Sequence, residues 1–434
     1  MTFKNDSTQK LITAMTLLWM TVFILFATLP LYAQRADSAV VNDLRKAGVT
    51  FSDDNSVTLL MSGQEKFDDL FQAIRNAKSS IHLEYFNFRN DSIADMLFES
   101  LAQKVKEGVE VRALFDGFGN VSNNQPLKRK HIEHRRQQGI QIYEFNPVEF
   151  PWMNDLFGRD HRKIVVIDGK IAYTGGMNVA DYYIKGTKQV GEWRDMHCRI
   201  EGSAVNQLQS IFVKMWKRVT GEQITGHKYY RGFTTPEYFT GLKADTTHTA
   251  GRKMVGIANR EPGRTPKIIR QFYCSAINNA HDSIKIVNPY FTLTPSITMA
   301  LKRAIKRGVK VELMIAANSD IPLTPDCSFY NMHRLMKRGA EVWIYKNGFH
   351  HTKIIMVDGQ LCTVGSANLD SRSLRFDYEE NAVIIDPATT RELSDMFDRD
   401  KQKSFLLTKE SWNQWRTPWQ KFRGWFANLL SNFL

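Results

Sequence analysis

Apolar residues recur along the chain in short runs that are separated by glycines and charged breaks. The runs predict strands at 80–88, 109–115 and 140–145, and a helical apolar period predicts a helix over 92–106. Gly108 ends that helix, because glycine adopts the left-handed backbone found after many helix C-termini. Strands that alternate with helices predict an α/β unit whose sheet is mixed or largely parallel.

The same order of elements returns about two hundred residues later. Strands are predicted at 283–291, 309–315 and 340–345, and Gly308 stands 200 positions after Gly108. A period of this length is far above the roughly 20–50 residues of stacked repeat arrays. The pattern therefore predicts a duplicated α/β protein with two similar domains.

The amino-terminal residues form an apolar segment of a different kind. An apolar run over 11–33 follows Lys4 and Lys10, and it is long enough to cross a bilayer core, which needs about 20 residues. Residues 31–33 resemble a signal-peptide cleavage site, so a cleaved signal and an uncleaved anchor both stay open. The flanking lysines predict that the N-terminus stays in the cytoplasm and that the body is exported.

Two stretches without clear periodicity separate the units. Residues 35–55 are predicted to be a linker or a short helix, and residues 221–266, rich in glycine, threonine and charge, are predicted to join the two domains. The chain is accordingly divided into four segments: 1–35 as signal peptide or membrane anchor, 36–240 as first domain, 241–410 as second domain, and 411–434 as an amphipathic tail.

The carboxyl-terminal tail carries large apolar residues at helical spacing, with Lys421 and Arg423 among them. The apolar members are Trp419, Phe422, Trp425, Phe426, Leu429, Leu430 and Phe433. Tryptophan interleaved with basic residues on a short amphipathic helix suits the interface of a bilayer. The alternative is that this stripe packs on the core of the protein itself, and the basic character of the chain favours the membrane.

The composition is that of an ordinary globular protein, apart from its charge. Of the 434 residues, 43% are hydrophobic and 24% are charged, and the formal net charge is +13. A basic excess of this size implies an anionic partner, and nucleic acid and a negatively charged bilayer are the two large candidates. Four scattered cysteines without a C-x-x-C pair argue against a disulfide framework and a zinc site.

One polar motif occurs twice, each time around a run of four apolar residues. It reads H-x-K, four apolar residues and then Asp, with these members: His161, Lys163, Asp168, His351, Lys353 and Asp358. Beyond each Asp follows G-[GS]-x-N, which ends at Asn178 and at Asn368. His and Lys at alternate positions share one face of an extended strand, so each copy presents an imidazole beside a cation. We take the doubled motif as the candidate active site, with His350 pointing to the opposite face.

This constellation can break and remake a phosphodiester. One histidine can attack phosphorus as neutral imidazole, while the other protonates the leaving alkoxide. The lysines can hold the phosphoryl oxygens, and Asn178 and Asn368 can donate hydrogen bonds to them. Since the protein then supplies the positive charge that Mg²⁺ provides in many phosphoryl enzymes, we expect neither metal nor cofactor. A phosphohistidine intermediate also permits transfer to an alcohol in place of water.

Each histidine needs a partner on its second ring nitrogen to fix its tautomer. Asp195 lies 34 residues after His161, and Glu379 lies 28 residues after His351, so both carboxylates are candidates. From chemistry alone, a solvated surface acid is an equally good interpretation of each. Two domains facing each other across a pseudo-twofold axis would bring both His–Lys pairs into one cleft.

The doubled motif resembles the phospholipase D superfamily, and three longer phrases are similar to its bacterial cardiolipin synthases: 159–169, 193–202 and 365–373. The resemblance implies two phospholipase D-type α/β sandwich domains with the active site at their interface. It also implies that His161 is the nucleophile, that His351 is the general acid, and that Asp195 and Glu379 orient the histidines. Asp168 and Asp358 are structural supports in that family.

The first functional hypothesis is a membrane-associated phosphatidyltransferase that converts two phosphatidylglycerol molecules into cardiolipin and glycerol. Its partners are the anionic phospholipid and the membrane surface, on the exported side of a bacterial cell membrane. The alternatives are a phospholipase D that hydrolyses or transphosphatidylates another lipid, a nuclease of the same superfamily, and a non-catalytic lipid-binding protein. Nucleic acid is the less favoured partner, because aromatic residues are not interleaved with basic ones near the motifs.

Overall fold

A computed structural model describes residues 37–148, 157–230, 251–321 and 324–430 of the chain. The predicted apolar run 11–33 and the predicted boundary at 240 lie outside the described residues. Within those residues, no helix combines the length and the apolar character that crossing a membrane would require.

The first half of the chain begins with residues 37–46 as helix α1. Its strands are β1 (Phe51–Leu60), β2 (Ser80–Tyr85), β3 (Glu110–Asp116), β4 (Gln141–Phe145), β5 (Ile164–Ile167), β6 (Ile171–Gly175), β7 (Trp193–Arg194) and β8 (His197–Glu201). Its further helices are α2 (Gly63–Asn76), α3 (Ser92–Lys106), α4 (Gly117–Val121), α5 (Arg129–Gln137), α6 (Tyr182–Lys185) and α7 (Ala204–Thr220). A 3₁₀ turn at His227–Tyr229 follows.

The second half repeats this order. Its strands are β9 (Lys253–Arg260), β10 (Ser283–Val287), β11 (Lys310–Ala316), β12 (Glu341–Tyr345), β13 (Phe349–His350), β14 (Ile354–Val357), β15 (Leu361–Gly365), β16 (Glu379–Ile385) and β17 (Ser404–Leu406). Its helices are α8 (Ile268–Asn279), α9 (Pro295–Lys306), α10 (Thr324–Met336), α11 (Ser371–Arg375), α12 (Pro387–Lys401), α13 (Lys409–Trp415) and α14 (Pro418–Leu429).

Most of these strands form one continuous sheet, in the order β17-β12-β11-β10-β14-β15-β16-β9-β1-β8-β6-β5-β2-β3-β4. At its centre β1 and β9 pair antiparallel, and outward from them the strands of the two halves correspond pairwise as far as β4 and β12, beyond which β17 is an additional edge strand of the second half. The pseudo-twofold axis therefore passes between β1 and β9. Strands β2–β3–β4 and β10–β11–β12 are parallel, while the inner pairs are antiparallel, so the predicted mixed α/β duplication is confirmed.

The two central strands were missed by the sequence analysis. Strand β1 begins at Phe51, inside the stretch 35–55 that we predicted to be linker or helix, and β9 lies inside the predicted domain join. The start of β1 is polar because its side chains bind the next element: Asp54 accepts a hydrogen bond of 2.7 Å from the Ser203 hydroxyl, just before α7. Because these positions are polar, the alternation of apolar residues that predicts a strand is absent from the start of β1.

Strand side chains alternate between two layers of core. In β5, Ile164 and Val166 face α7, whereas Val165 and Ile167 face the layer that contains α2 and α3. Strand β14 divides its residues in the same way, so both faces of β5 and β14 are covered and these two strands are apolar throughout. All four cysteines are free thiols, and burial raises the pKa of Cys362 to about 12.

Candidate active site

The two motif loops lie at the same edge of the sheet. His161 and Lys163 come directly before β5, and His351 and Lys353 come directly before β14. Each of these strands pairs antiparallel with the first strand of a parallel set, so the motifs lie at the carboxyl ends of those parallel strands. Ligands commonly bind at that edge in α/β folds.

Backbone hydrogen bonds join each motif loop to the opposite half. The His161 amide donates to the Tyr378 carbonyl at 3.0 Å, and the His351 amide donates to the Arg194 carbonyl at 2.7 Å. Strand β7 of the first half also pairs with β13 of the second half. Both histidines are thus held by contacts that cross the pseudo-twofold axis.

The orienting carboxylates are exchanged between the halves. The Nδ1 atom of His161 lies 3.0 Å from Oε1 of Glu379, and Nδ1 of His351 lies 2.7 Å from Oδ2 of Asp195. A carboxylate at this position accepts a hydrogen bond from Nδ1–H, so the lone pair of each neutral ring lies on Nε2, and in His351 this nitrogen lies 3.2 Å from Nζ of Lys353. Each histidine is therefore oriented by a carboxylate from the other half of the chain.

Burial and neighbouring cations set the protonation of the two histidines. Burial, together with Lys163 and Lys353, holds the pKa of His161 well below its usual range. Burial and Lys353 also lower the pKa of His351, whereas Asp195 acts in the opposite direction. Burial therefore favours the neutral imidazole at both rings, and the charge of Asp195 opposes this at His351.

The two orienting carboxylates differ in charge. Burial raises the pKa of Glu379 to about 7, even though Lys163 opposes that rise. Burial also disfavours the charge of Asp195, but the cations of Lys353 and His351 outweigh it and lower the pKa overall. Because Asp195 stays ionised, it stabilises a protonated ring at His351 better than Glu379 does at His161.

Both motif lysines are buried beside the histidines. Lys353 Nζ lies 3.2 Å from Nε2 of His351 and 3.7 Å from Oδ2 of Asp195. Lys163 Nζ donates to the His161 carbonyl, and burial lowers the pKa of Lys163 to about 8. Two cations held this close with little water around them can bind a doubly substituted phosphate.

Asn178 and Asn368 occupy matching buried loops after β6 and β15. The Asn178 carbonyl accepts a 3.0 Å hydrogen bond from the buried Lys66 ammonium, which fixes its backbone. Oδ1 of Asn368 has no hydrogen-bond partner among the described residues. Phosphate binding by these two amides stays a prediction.

Asp168 and Asp358 are not brought to the histidines. Both lie at the far ends of β5 and β14, in left-handed turns with φ of 53° and 51°. The Asp168 carboxylate accepts hydrogen bonds from three consecutive backbone amides, 78–80, at 2.7–3.0 Å, and Asp358 does the same for residues 281–283. They belong to the motif taken as the candidate active site, and we propose for both the supporting role that the family resemblance implies, since their carboxylates fix the starts of the neighbouring strands β2 and β10.

We expect Asp168→Asn to cost stability rather than catalysis. The amide group of the new side chain would face backbone N–H donors that now point at an anion, so the free energy of unfolding should fall by about 1–3 kcal/mol. Urea unfolding and turnover per folded protein measure the two effects separately. Asp358→Asn is the matched variant; a thousandfold loss of turnover in either, with the fold intact, would contradict the supporting role.

Several contributors to the site were missed because they are small. Ser366 and Ser373 both donate hydrogen bonds from their hydroxyls to Glu379. At the position that matches Ser366, Gly176 leaves room for the other carboxylate, since a Cβ there would lie 2.2 Å from Oδ1 of Asp195. The G-[GS]-x-N phrase carried this signal: its second residue contacts the orienting carboxylate in both halves.

His350 points away from the catalytic ring, as predicted. Its Nε2 lies 3.1 Å from Oδ2 of Asp400, which also pairs with Arg194. Around the neighbouring His351, the rings of Trp193 and Tyr290 lie with centroids 5.4 Å and 6.1 Å away. These aromatic walls reduce the access of water to the reacting nitrogen.

A second buried carboxylate, Glu380, adjoins Glu379. Thr174 and Ser366 are its hydroxyl neighbours, and burial raises the pKa of Glu380 to about 8. The folded protein therefore holds a proton there that the unfolded chain releases above pH of about 4.5. This contribution is complete below that pH and is lost as pH rises through about 8.

We expect Glu380→Gln to become relatively more stable as pH increases. Glutamine mimics the protonated carboxyl and cannot ionise, so the difference in unfolding free energy should shift in its favour by on the order of 2 kcal/mol between pH 5 and pH 8. Urea unfolding of both proteins across this range measures the shift. A constant difference would show that Glu380 is already ionised in the fold.

Comparison with known proteins places this architecture in a family. A family model described as "Cardiolipin synthase, PLD-like domain" matches residues 70–216 and 273–401, one segment in each half. The chain is 34% identical over 392 residues to the cardiolipin synthase of Oceanobacillus iheyensis. The aligned region covers 90% of this chain and 78% of that protein. It is 36% identical over 383 residues to cardiolipin synthase 2 of Staphylococcus epidermidis, and the aligned region covers 88% of this chain and 75% of that protein.

A solved structure shares the fold. The phosphatidylserine synthase of Haemophilus influenzae superposes with a TM-score of 0.69, over 91% of this chain and 100% of that one. Sequence identity between the two is 15%, so the likeness establishes the duplicated fold alone. The resemblance read from the doubled motif and the expected fold class are both confirmed.

Proposed function

The chain belongs to the cardiolipin synthase family of phospholipase D-like proteins, and on that basis we propose that it is a phosphatidyltransferase that converts two phosphatidylglycerol molecules into cardiolipin and glycerol. The observation that carries the chemical part is the pair of exchanged contacts, His161 with Glu379 and His351 with Asp195. They hold two imidazoles at one edge of the sheet with Nε2 of each available.

In the first step, Nε2 of His161 attacks the phosphorus of one phosphatidylglycerol. A P–N bond forms, the P–O bond to the glycerol headgroup breaks, and Nε2–H of His351 gives its proton to the departing oxygen. Lys163 and Lys353 carry positive charge beside the non-bridging oxygens, and Glu379 accepts a hydrogen bond from Nδ1–H of the attacking ring, whose proton stays on Nδ1 throughout. The products are phosphatidyl-His161 and free glycerol.

In the second step, the neutral His351 takes a proton from the headgroup hydroxyl of another phosphatidylglycerol. That oxygen attacks phosphorus, the P–N bond breaks, and cardiolipin leaves with His161 regenerated as neutral imidazole. Protons balance across the cycle, because the one given to glycerol is replaced by the one taken from the acceptor. Water in place of the acceptor would yield phosphatidic acid instead.

The assignment of roles rests on the unequal environments of the two rings. Burial and two lysines hold the pKa of His161 well below its usual range, which suits a neutral nucleophile, and burial raises the pKa of its partner Glu379 to about 7. His351 faces the ionised Asp195, which suits a ring that must hold a proton. Pairs of groups whose environments push their pKa values apart commonly divide acid and base roles.

Because the proposed substrate is a phospholipid, the protein acts at a membrane surface. We include in the proposal that the body lies on the exported side of a bacterial cell membrane, which Lys4 and Lys10 before the apolar run 11–33 support. Protease treatment of intact cells, with and without permeabilisation of the outer layers, tests this side: digestion that requires disruption of the cytoplasmic membrane would place the body inside.

Turnover of phosphatidylglycerol in mixed micelles tests the reaction. We expect equal amounts of cardiolipin and glycerol, unchanged by a chelator, because the lysines supply the positive charge. Phosphatidic acid as the main product would assign the chain to hydrolysis, and cleavage of plasmid DNA without lipid turnover would assign it to the nucleases. Absence of any turnover by protein with a native unfolding transition would identify a non-catalytic lipid-binding protein.

A further inference from the structure

Helix α14 turns a row of large apolar side chains to the solvent. Trp419 is 64% exposed, Leu429 58%, Phe426 50%, Phe422 49% and Trp425 45%. Their aromatic rings contact one another along the helix, as Trp419 with Phe422 and Phe422 with Trp425 do at 5.5 Å and 5.7 Å. Exposed apolar patches of this kind mark interaction sites on soluble domains.

The opposite side of α14 is fixed to the domain. Gly424 and Ala427 are its buried residues, and a Cβ on Gly424 would lie 2.6 Å from the carbonyl oxygen of Asp326 in α10. The Asp326 carboxylate forms ion pairs with both Arg416 and Arg423. Because small residues and a buried carboxylate hold this side against α10, the aromatic side cannot turn inward without breaking these contacts.

The two helices of this surface, α10 and α14, are basic. They contain one carboxylate, Asp326, which is buried and paired with two arginines. Their further cations, including those in the turn after α10, are Arg334, Lys337, Arg338 and Lys421. Basic residues beside tryptophan and phenylalanine match the two parts of an anionic bilayer surface, its charged headgroups and its acyl boundary.

The helix that supports α14 begins near the catalytic edge of the sheet, because α10 follows strand β11, whose carboxyl end lies at that edge. The first turn of α10, on which Gly424 packs, follows the loop that carries Asp320. Asp320 accepts a 2.6 Å hydrogen bond from the hydroxyl of Tyr290, whose ring lies 6.1 Å from that of His351. The aromatic row is therefore built onto the end of the second half that also carries the catalytic loop.

We propose that the aromatic face of α14 inserts into the headgroup region of an anionic phospholipid bilayer and holds the catalytic edge of the sheet against that surface. The insertion itself does not depend on which reaction the site performs. Only its consequence for turnover rests on the proposed function.

Fluorescence quenching by brominated lipid tests the insertion directly. All proteins in this assay are the full chain with two background substitutions. His161→Ala prevents consumption of lipid, and Trp19→Phe removes the fluorescence of the apolar N-terminal run. With vesicles that contain brominated phosphatidylglycerol, we expect Trp419→Phe/Trp425→Phe to lose at least half of the quenching. The matched pair Trp216→Phe/Trp343→Phe should keep the quenching nearly unchanged.

The outcomes separate the possible occupants of this face. Equal quenching in both double variants would overturn the proposal. So would quenching that is absent in all proteins while they still float with vesicles, since the face would then be covered by the N-terminal segment. A stable dimer in detergent that Phe422→Ser/Phe426→Ser dissociates would show that a second copy covers it. Quenching at least tenfold weaker in phosphatidylcholine vesicles would support the anionic requirement, and equal quenching would overturn that part.

A turnover assay tests the consequence for catalysis. Phe422→Ser/Phe426→Ser should lower turnover of phosphatidylglycerol in vesicles at least tenfold and leave turnover in detergent micelles within twofold. The control Met96→Ser/Leu406→Ser removes exposed apolar residues elsewhere and should change neither. An equal fall in both assays would overturn the consequence for catalysis, whereas failure of the wild type to turn over lipid would contradict the proposed function and leave the quenching result standing.

Discussion

Replacing His351 with glutamine should stop turnover of phosphatidylglycerol and trap the phosphatidyl group on His161 when the leaving group is changed. The variant lacks the acid that protonates glycerol, so turnover should fall about 10⁴-fold or more. A phosphatidyl ester of p-nitrophenol needs no such acid, because nitrophenolate leaves unaided. With this substrate, His351→Gln should release one equivalent of nitrophenol in a burst and then stall, because the base for the second step is missing.

The reciprocal variant identifies the nucleophile. His161→Gln should show no burst with either substrate, since the attacking Nε2 is gone. Mass spectrometry of the quenched proteins should find the phosphatidyl adduct on the peptide with residue 161 in His351→Gln and on no peptide in His161→Gln. An adduct on His351 would exchange the two roles, and a burst in neither variant would exclude a covalent intermediate at these rings.

The duplicated fold could be predicted because its signals are local. Gly108 and Gly308 end equivalent helices at the same spacing, and each is followed by a parallel strand with a largely apolar core, β3 and β11. Strands β1 and β9 escaped prediction, since the polar start of β1 serves the N-terminal end of α7 and β9 borders residues without periodicity. These two strands lie on the pseudo-twofold axis, so their pairing is a property of the assembled halves.

The members of the site could be predicted, but their partnership could not. His161 is 34 residues from Asp195 and 218 residues from Glu379, yet the contact is with the distant carboxylate. The choice follows from the β7–β13 pairing and from the hydrogen bond that the His161 amide donates to the Tyr378 carbonyl, which no short-range pattern encodes. Motif spacing likewise grouped Asp168 with His161, although the two residues lie at opposite ends of strand β5.

Asp195→Asn should lower turnover of phosphatidylglycerol about 10³–10⁴-fold without unfolding the protein. Asparagine can present its amide N–H to Nδ1 of His351, which favours the wrong tautomer and removes the charge that supports a protonated ring. Since His351 acts on the leaving group, the variant should keep a fast nitrophenol burst and lose only the steps that need an acid or a base. Glu379→Gln, which disturbs the nucleophile, should slow the burst itself.

This pair of variants tests the exchange of carboxylates between the halves. If each carboxylate served the histidine of its own half, the two phenotypes would be interchanged, with Asp195→Asn slowing the burst and Glu379→Gln preserving it. Asp168→Asn provides the control for loss of a carboxylate within the same domain, and its burst should match the wild type. The double variant Asp195→Asn/His351→Gln should be no slower with phosphatidylglycerol than His351→Gln alone, because the aspartate acts through that ring.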